Sequence, residues 1–272
     1  MTARLWFGVS SWNFKDWIGP FYAPGTKPPD MLADYARVFP TVEVDSSFYG
    51  IPRQTTIEKW RQRVGSSFRF SVKTPSAVTH ERRFVGAGKL FSIFLERVKL
   101  FGDKLGPVLI QCPPDFAPTA ENRLALFEFL ETELPAGVRV ALELRDTRWY
   151  DDELFSQSKR VGCTLALTEG GHADVAHAAR IAGRLASDAP ADFAYVRWLG
   201  TQTFERYDRV QADRSASLDA WERMLRPLQD RLDDIFAYAS NDYQGYAPGT
   251  ARAMLARLGQ PLPAETAQPR LL

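Results

Sequence analysis

Charged and amide side chains end five of the apolar runs in this sequence, and such side chains perform acid–base and anion-binding chemistry. They are Asp45, Lys73, Gln111, Arg145 and Arg197. A sixth run ends near Tyr238 and continues into Asn241-Asp242. Carboxylates act as general acids or bases or hold a divalent cation, whereas Lys and Arg bind oxyanions. The sequence therefore indicates where a site lies more clearly than what reaction it performs.

Three carboxylates occupy alternate positions of two apolar runs. Glu43 and Asp45 belong to TVEVD, and Glu143 belongs to VALELR. Because successive side chains of a strand point to opposite faces, we expect all three on one inward face. We predict Asp45 and Glu143 as catalytic acid and base. The alternative, favoured for the deeper Glu43, is a structural network with inward bases such as Arg69 and Arg197, because an unpaired buried ion is strongly destabilising.

The basic residues form a second group. Lys73, His80, Arg145 and Arg197 come from the third, fifth and seventh runs or their following loops, and they converge if the strands close into a barrel. Converging Lys and Arg suit a phosphate or carboxylate group, and the alternative is that they only balance the carboxylates. The loop GYAPGT places Pro248 at a helix start, whose free N–H groups would add to an anion site beside Arg197. His80 is predicted as an acid or base, although a Thr-His pair opening a helix is also an ordinary cap.

Aromatic residues are concentrated in the segments that follow the runs. Their rings would stack a sugar or a base, or they would pack the first loop onto the rest of the domain. Tyr49 and Tyr246 carry a hydroxyl and are the strongest candidates for ligand contact. The predicted substrate-binding set is Trp12, Tyr49, Gln111, Arg145, Arg197, Asn241, Asp242 and Tyr246. The predicted catalytic set is Asp45, Lys73, His80 and Glu143.

Eight apolar runs of strand length organise the chain. They begin near Leu5, Thr41, Phe68, Pro107, Val138, Cys163, Phe193 and Ile235. Each interval leaves room for a helix and two connections, which is the period of a βα unit. Eight such units match the (β/α)8 TIM-type barrel, an α/β fold of about 250 residues whose chemistry lies at the C-terminal ends of the strands. We predict one barrel domain over residues 1–259 and a loose, Pro-rich tail over 260–272.

Helical apolar spacing follows each run. The predicted helices span residues 32–39, 56–63, 90–101, 121–130, 152–160, 173–185, 218–229 and 250–258.

Seven motifs occur in order from Phe7 to Ala251. They are FGVSSWNFKDWIGPFYAPGT, VEVDSSFYGIP, FRFSVKTPSAVTHERR, LGPVLIQCPPDF, ALELRDTRWYDDE, FAYVRWLG and SNDYQGYAPGTA. Together they resemble the YecE-like family, the domain of unknown function numbered seventy-two, over nearly the whole chain. The resemblance implies a TIM-type barrel and no established reaction.

The chain departs from the family pattern at two places. Where the family usually reads Arg-Leu-His-Gly, this chain has Arg197-Trp198-Leu199-Gly200, so any role of that His is absent here. Where the family usually reads Asn-Asn-Asp, this chain has Ser240-Asn241-Asp242.

Composition and motif content argue against several functional classes. With 34 basic and 33 acidic residues the net charge is +1, so no bulk charge favours nucleic acid or an anionic membrane as partner. Three histidines are too few for a His-rich metal cluster, and a common glycosidase class would have Glu where Gln111 and Arg197 stand. The chain has no GxSxG, Walker or GxGxxG motif, and the charged neighbours of Lys73 argue against a Schiff-base aldolase. We predict no cofactor and no metal, with a single divalent cation as the alternative.

The same patterns bear on location. No run approaches the roughly 20 apolar residues of a membrane span, and the first residues carry no apolar leader. Cys112 and Cys163 lack metal-type spacing and are predicted to be reduced, buried thiols. We expect a cytoplasmic protein with no membrane partner, and the pattern specifies no oligomeric state.

The leading functional prediction is an enzyme, of hydrolase or lyase/isomerase type, that acts on a phosphorylated or carboxylated small molecule such as a sugar phosphate or nucleotide. Its carboxylates would transfer protons while its bases hold the anion. The alternative is a non-catalytic nucleic-acid or nucleotide binding module that uses the same basic and aromatic rim. A nucleic-acid groove should extend outside the barrel mouth, across Arg82, Arg83, Arg148 and Arg206. A small-molecule enzyme should instead concentrate its charges in one pocket.

Overall fold

The computed structural model describes residues 2–261, whose strands form one curved parallel sheet. The strands are β1 (Arg4–Ser10), β2 (Thr41–Val44), β3 (Arg69–Lys73), β4 (Leu105–Gln111), β5 (Val140–Glu143), β6 (Thr164–Leu165), β7 (Leu167–Glu169), β8 (Phe193–Trp198) and β9 (Asp234–Ala239). Neighbouring strands follow the order β6-β5-β4-β3-β2-β1-β9-β8-β7. Ala166 alone separates β6 from β7, so these two are halves of one barrel strand. The predicted (β/α)8 barrel is confirmed.

Helices alternate with the strands along the chain. They are α1 (Pro28–Tyr35), α2 (Gln54–Gln62), α3 (Gly88–Val98), α4 (Ala120–Glu133), α5 (Asp152–Val161), α6 (Val175–Ser187), α7 (Ser215–Arg231), α8 (Asn241–Gln244) and α9 (Ala247–Arg257). Every predicted helix is present, with ends that differ by a few residues. The largest shift is at α1, which begins at Pro28 because proline is accommodated in the first turn of a helix.

Side chains that alternate along the strands fill the barrel interior. The inner apolar cluster consists of Leu109, Ala141, Ala166, Phe193, Tyr195, Phe236 and Tyr238. The Tyr238 hydroxyl lies 2.8 Å from Thr41 Oγ1 and 2.5 Å from Ser71 Oγ, so both smaller residues also point inward. The predicted inward parity is confirmed for these strands. The charged residues form a separate layer nearer the C-terminal ends.

The N-terminal end of the barrel is closed by a second group of charges. Asp234 is buried and accepts hydrogen bonds from Trp6 Nε1 at 2.7 Å, Arg4 Nε at 2.9 Å and Arg139 Nη1 at 2.5 Å. Arg69 lies at this same end, with its guanidinium 5.0 Å from the Trp6 ring. The expectation that Arg69 pairs with the inner carboxylates is therefore wrong, because its strand position places it at the opposite end of β3.

The first loop, which follows β1, packs its aromatic residues onto the barrel. Trp17, Phe21 and Tyr22 are fully buried. The Tyr22 hydroxyl donates to the Trp12 carbonyl at 2.6 Å, and the Tyr246 hydroxyl donates to the Pro20 carbonyl at 3.2 Å. Most of this aromatic group therefore anchors the loop, which is the packing alternative that the sequence left open.

The remaining predictions from the sequence concern the cysteine thiols, membrane-spanning helices and the C-terminal tail. Cys112 and Cys163 are free and buried, and burial raises the pKa of both thiols. Within residues 2–261 no helix is long and apolar enough to cross a membrane. The predicted tail over 260–272 lies almost entirely outside the described residues.

Candidate functional site

A buried ion network spans the barrel just below its mouth, the open end formed by the C-terminal ends of the strands. Arg197 of β8 donates from Nη2 to Glu43 Oε1 at 2.8 Å and from Nη1 to Glu143 Oε2 at 2.7 Å. Its Nε also contacts Glu43 Oε1 at 3.2 Å. The two carboxylates come from β2 and β5, so one guanidinium links three strands across the barrel interior. Such charge-assisted contacts are among the strongest polar interactions in proteins.

Neutral donors complete the network around the two carboxylates. Glu43 accepts from the Tyr195 hydroxyl at 2.6 Å and from Ser10 Oγ at 2.8 Å. Glu143 accepts from Gln111 Nε2 at 2.7 Å. Although burial opposes it, the positive charges of Arg197 and Arg145 hold the pKa of Glu143 down to about 2. This is the geometry of a structural ion network, the alternative that the sequence left open for these residues.

Asp45 differs from the other inward carboxylates. It begins a short turn, Asp45–Phe48, directly after β2. Its Oδ1 is buried 3.6 Å from Arg197 Nη2 and accepts no hydrogen bond from the described residues, while the side chain as a whole is 34% exposed. Burial and the adjacent Glu43 charge raise the pKa of Asp45 to about 6, against the opposing effects of Arg197 and Lys73. Asp45 therefore exchanges a proton close to neutral pH.

Lys73 and His80, from the next strand and its loop, both pack against Phe48, the last residue of the turn that Asp45 begins. The Lys73 ammonium lies 4.2 Å from the Phe48 ring centre, and the His80 ring packs edge-on against the same ring at 4.8 Å. Burial and the nearby Arg197 lower the pKa of Lys73, and burial together with Lys73 lowers the pKa of His80. His80 is carried by a π-helical turn, Ala77–Glu81, rather than by an ordinary helix start. Such turns occur frequently at functional sites.

Arg145 is more accessible than the buried Lys73 and Arg197. Its side chain is 25% exposed, and its Nε lies 3.4 Å from Glu143 Oε1, a weaker contact than those of Arg197. Because only Nε is bonded among residues 2–261, the outer part of the guanidinium fork keeps its donors for a ligand.

The residues that were predicted to contact a ligand at the rim of the barrel lie in different environments. Tyr49 is 87% exposed, and Trp12 packs edge-on against Trp60 at 5.2 Å. Asp242 Oδ1 accepts from the Tyr207 hydroxyl at 2.6 Å. Gln111, like Tyr246, is buried and bonded to protein groups, as described above.

The start of α9 is occupied by protein. Asn241 Oδ1 accepts from the Ala247 N–H at 2.9 Å, and Pro248 has no N–H to offer. Thr250 Oγ1 lies 3.0 Å from Gln244 Oε1 in the same buried turn. Fewer free donors are therefore available at GYAPGT than the sequence suggested, and the anion site expected beside this loop stays a prediction.

A cavity of about 390 Å³ opens beside Asp45. Trp12 and Ser11 line it, and Ser11, the residue directly after β1, has a positive φ of 68°. A left-handed conformation is uncommon for a residue with a Cβ, and such strain is concentrated at functional sites. Asp45 therefore lies between the charged mouth and a space that would hold part of a small molecule.

Sequence reasoning missed a further group of residues after the sixth barrel strand. A cavity of about 600 Å³, here called the side lobe, opens between the loops after β7 and β8. Its polar lining residues include Glu169, His172, His177, Arg180, Arg214 and Tyr243. Glu169 ends the run that begins at Cys163, so the same strand-end rule that selected Asp45 would have found it.

The described part of the chain contains no cluster of three or more His, Cys, Asp or Glu arranged to hold a metal ion. The guanidinium of Arg197 occupies the space between Glu43 and Glu143 where a cation would otherwise lie. The expectation of no obligatory cofactor stays a prediction.

The comparisons with known proteins agree with this fold. The UPF0759 protein YunF of Bacillus subtilis is 26% identical over 279 residues, which cover 92% of this chain and 93% of YunF. Crystal structures of two DUF72 family proteins have a TM-score of 0.76 to this chain. The protein from Enterococcus faecalis is 18% identical, with 99% of this chain and 100% of that protein covered. The protein from Thermotoga maritima is 22% identical, with 94% and 99% covered.

The family model described as protein of unknown function DUF72 matches residues 6–271. The resemblance inferred from the seven motifs is therefore confirmed, and the chain belongs to the DUF72 family.

Proposed function

We propose that this protein is an enzyme that transfers protons on a small anionic substrate at the barrel mouth. The observation that carries the proposal is Asp45, a partly exposed carboxylate whose pKa burial raises to about 6 and which lies near Arg197 and Lys73 and lines an open cavity. A general acid or base works best when its pKa lies near the pH at which the enzyme operates. Perturbed carboxylates in clefts are accordingly candidates for catalysis.

The neighbouring residues supply the other roles. Lys73 and the outer donors of Arg145 hold the phosphate or carboxylate group of the substrate, and Asp45 exchanges the proton. His80, whose pKa is lowered mainly by burial, is neutral near pH 7 and serves as the second proton carrier. Glu143 was equally a candidate from sequence, but its carboxylate is buried, ionised and bonded to Arg197. We therefore assign proton transfer to Asp45.

Small phosphorylated molecules, sugar phosphates or nucleotides, are the proposed substrate class. The 390 Å³ cavity beside Asp45 has the size of a small-ligand site, and Trp12 in its wall would pack against a sugar or base.

The surface charges give little support to a nucleic-acid groove. Of the four arginines that such a groove would use, Arg83 pairs with Asp115, Arg148 with Asp146 and Arg206 with Asp208, whereas Arg82 donates only to the Gly86 carbonyl among the described residues. Three of the four arginine charges that such a groove would use are therefore paired locally, which favours a small anionic ligand over an extended groove.

The experiment measures proton exchange, so it does not depend on knowing which reaction the enzyme catalyses. The protein is incubated in D₂O with a panel of sugar phosphates, nucleotides and hydroxy acids, and ¹H and ³¹P NMR record deuterium uptake and phosphate release. We expect turnover of at least one compound, with a pH dependence that changes near pH 6 and a large loss in Asp45→Asn. Asp230→Asn, on the exposed face of α7, is the matched control. Equal rates in the Asp45→Asn variant and the wild type, or no turnover across the panel, would contradict the proposal.

A further inference from the structure

The side lobe contains two guanidinium groups that form no ion pair with a carboxylate among residues 2–261. Arg180 Nη2 lies 2.8 Å from His177 Nδ1, and Arg214 Nε lies 3.4 Å from the Tyr243 carbonyl. Most other arginines near the C-terminal face, such as Arg148, pair with a neighbouring Asp. Each of the two therefore keeps most of its five N–H donors for a ligand.

His177, which lies beside Arg180, can donate a hydrogen bond to a ligand rather than accept one from it. Arg180 has no lone pair, so it donates to His177 Nδ1, and the ring proton must then be on Nε2. Burial and the charge of Arg180 lower the pKa of His177, which keeps the ring in this neutral form.

The two carboxylates of the side lobe are engaged by protein donors. Glu169 Oε2 accepts from Ser217 Oγ at 2.6 Å, from Trp221 Nε1 at 2.6 Å and from the Tyr243 hydroxyl at 2.8 Å. Asp174 caps α6 through the His177 N–H at 2.8 Å. Their charges are spread over these bonds, whereas the guanidinium donors stay available.

Glycines bring the loop backbones together at the wall of the side lobe. A Cβ on Gly170, whose φ is 120°, would come within 2.4 Å of the Gly200 nitrogen, and a Cβ on Gly200 would come within 2.0 Å of the Asp242 carbonyl oxygen. The N–H groups of Gly171 and Thr201 have no acceptor in the described part of the chain. Free backbone N–H groups in a glycine-rich turn form a concavity that suits anions.

We infer that the side lobe binds a phosphate group of the substrate, and that the substrate therefore carries two anionic groups, one here and one at Lys73 and Arg145. This inference rests on the proposed function of the mouth. The chemical class is a phosphate monoester with a carboxylate or second phosphate at its reacting end. Barrel enzymes often bind phosphate at the loops after the last strands, and the side lobe adjoins the loops after the sixth, seventh and eighth barrel strands.

Two of the three histidines of this chain report on the two regions separately. His80 lies beside Lys73 at the mouth, and His177 lies beside Arg180 in the side lobe. The protein is labelled with ¹³C-histidine, the ring signals are assigned with single His→Gln variants, and inorganic phosphate is titrated. We expect a saturable shift of the His177 signal, with affinity reduced about tenfold or more in Arg214→Gln because a charge-assisted contact is lost.

Controls and outcomes separate this inference from the proposed function. Arg223→Gln removes an exposed charge elsewhere on α7 and should bind phosphate as the wild type does. Arg214→Lys should recover part of the affinity, and a denaturant melt confirms that each variant folds. A shift of His80 alone would overturn the side-lobe site and leave the mouth intact. A His177 shift unchanged in Arg214→Gln would also overturn it, and no shift of either signal would overturn both proposals.

Discussion

Arg197 and Glu143 form a buried ion pair in the barrel interior, with Nη1 donating to Oε2 at 2.7 Å. The same guanidinium binds Glu43, so one cation balances two carboxylates from opposite sides of the barrel. Asp45 lies at the edge of this group and is the carboxylate least satisfied by it. The deeper carboxylates, Glu43 and Glu143, are therefore hydrogen-bonded within the network, whereas Asp45 at the mouth is partly exposed.

The Glu143→Gln variant should be clearly destabilised. Loss of the carboxylate charge leaves Arg197 buried with reduced compensation, and breaking such a pair costs about 3–5 kcal/mol. Denaturant melts at pH 7 give the free energy of unfolding. The matched control is Glu128→Gln on an exposed position of α4, which should be close to neutral. Equal stability of the two variants would remove Glu143 from the structural network.

The Asp45→Asn variant should be more stable than the wild type at pH 8. Because the pKa of Asp45 is about 6 in the folded protein and 3.8 in a model peptide, the folded state holds this proton to higher pH. The Asp45 charge therefore destabilises the folded protein as the pH rises from about 4 through about 6. With allowance for partial exposure, we expect a gain of about 1–2 kcal/mol at pH 8 that disappears near pH 4. Melts across this range measure it, and a gain independent of pH would mean that packing is responsible.

The Gly200→Ala variant should lose more stability than Gly19→Ala. Both glycines have a positive φ, but a Cβ on Gly19 meets no atom within 4 Å, whereas one on Gly200 would overlap the Asp242 backbone. The two variants share the cost of a left-handed alanine, so their difference isolates the contact between loops. We expect that difference to be about 2 kcal/mol or more from thermal or denaturant melts. Similar losses would mean that the loops after β8 and β9 separate easily.

The overall fold was predictable because it follows from local patterns. The spacing of the runs and the parity within TVEVD and VALELR specify a barrel and its inward side chains without knowledge of any contact. The pairing of charges was not predictable at this level, because which base meets which carboxylate depends on how the barrel closes. Arg69 illustrates this limit. Its position in the alternating pattern predicted an inward side chain, but the pattern did not show at which end of the barrel that side chain lies.

The candidate site was predictable only in part for a related reason. Strand-end position identified Asp45, Lys73 and Arg145, but it does not distinguish a ligand contact from a structural one such as Asn241, which bonds the start of α9. Glu169 was predictable by the same rule, because it ends the run that begins at Cys163.

The Arg145→Ala variant tests most directly which of the inward charged residues stabilise the fold and which bind a ligand. Its side chain is partly exposed and only weakly bonded to Glu143. We predict a free energy of unfolding near that of the wild type, with phosphate affinity at the mouth, followed through the His80 ring signal, reduced about tenfold or more. Arg148→Ala, which removes an exposed arginine paired with Asp146, should retain binding. A large loss of stability in Arg145→Ala with unchanged phosphate binding would place Arg145 in the structural network and contradict the proposed site.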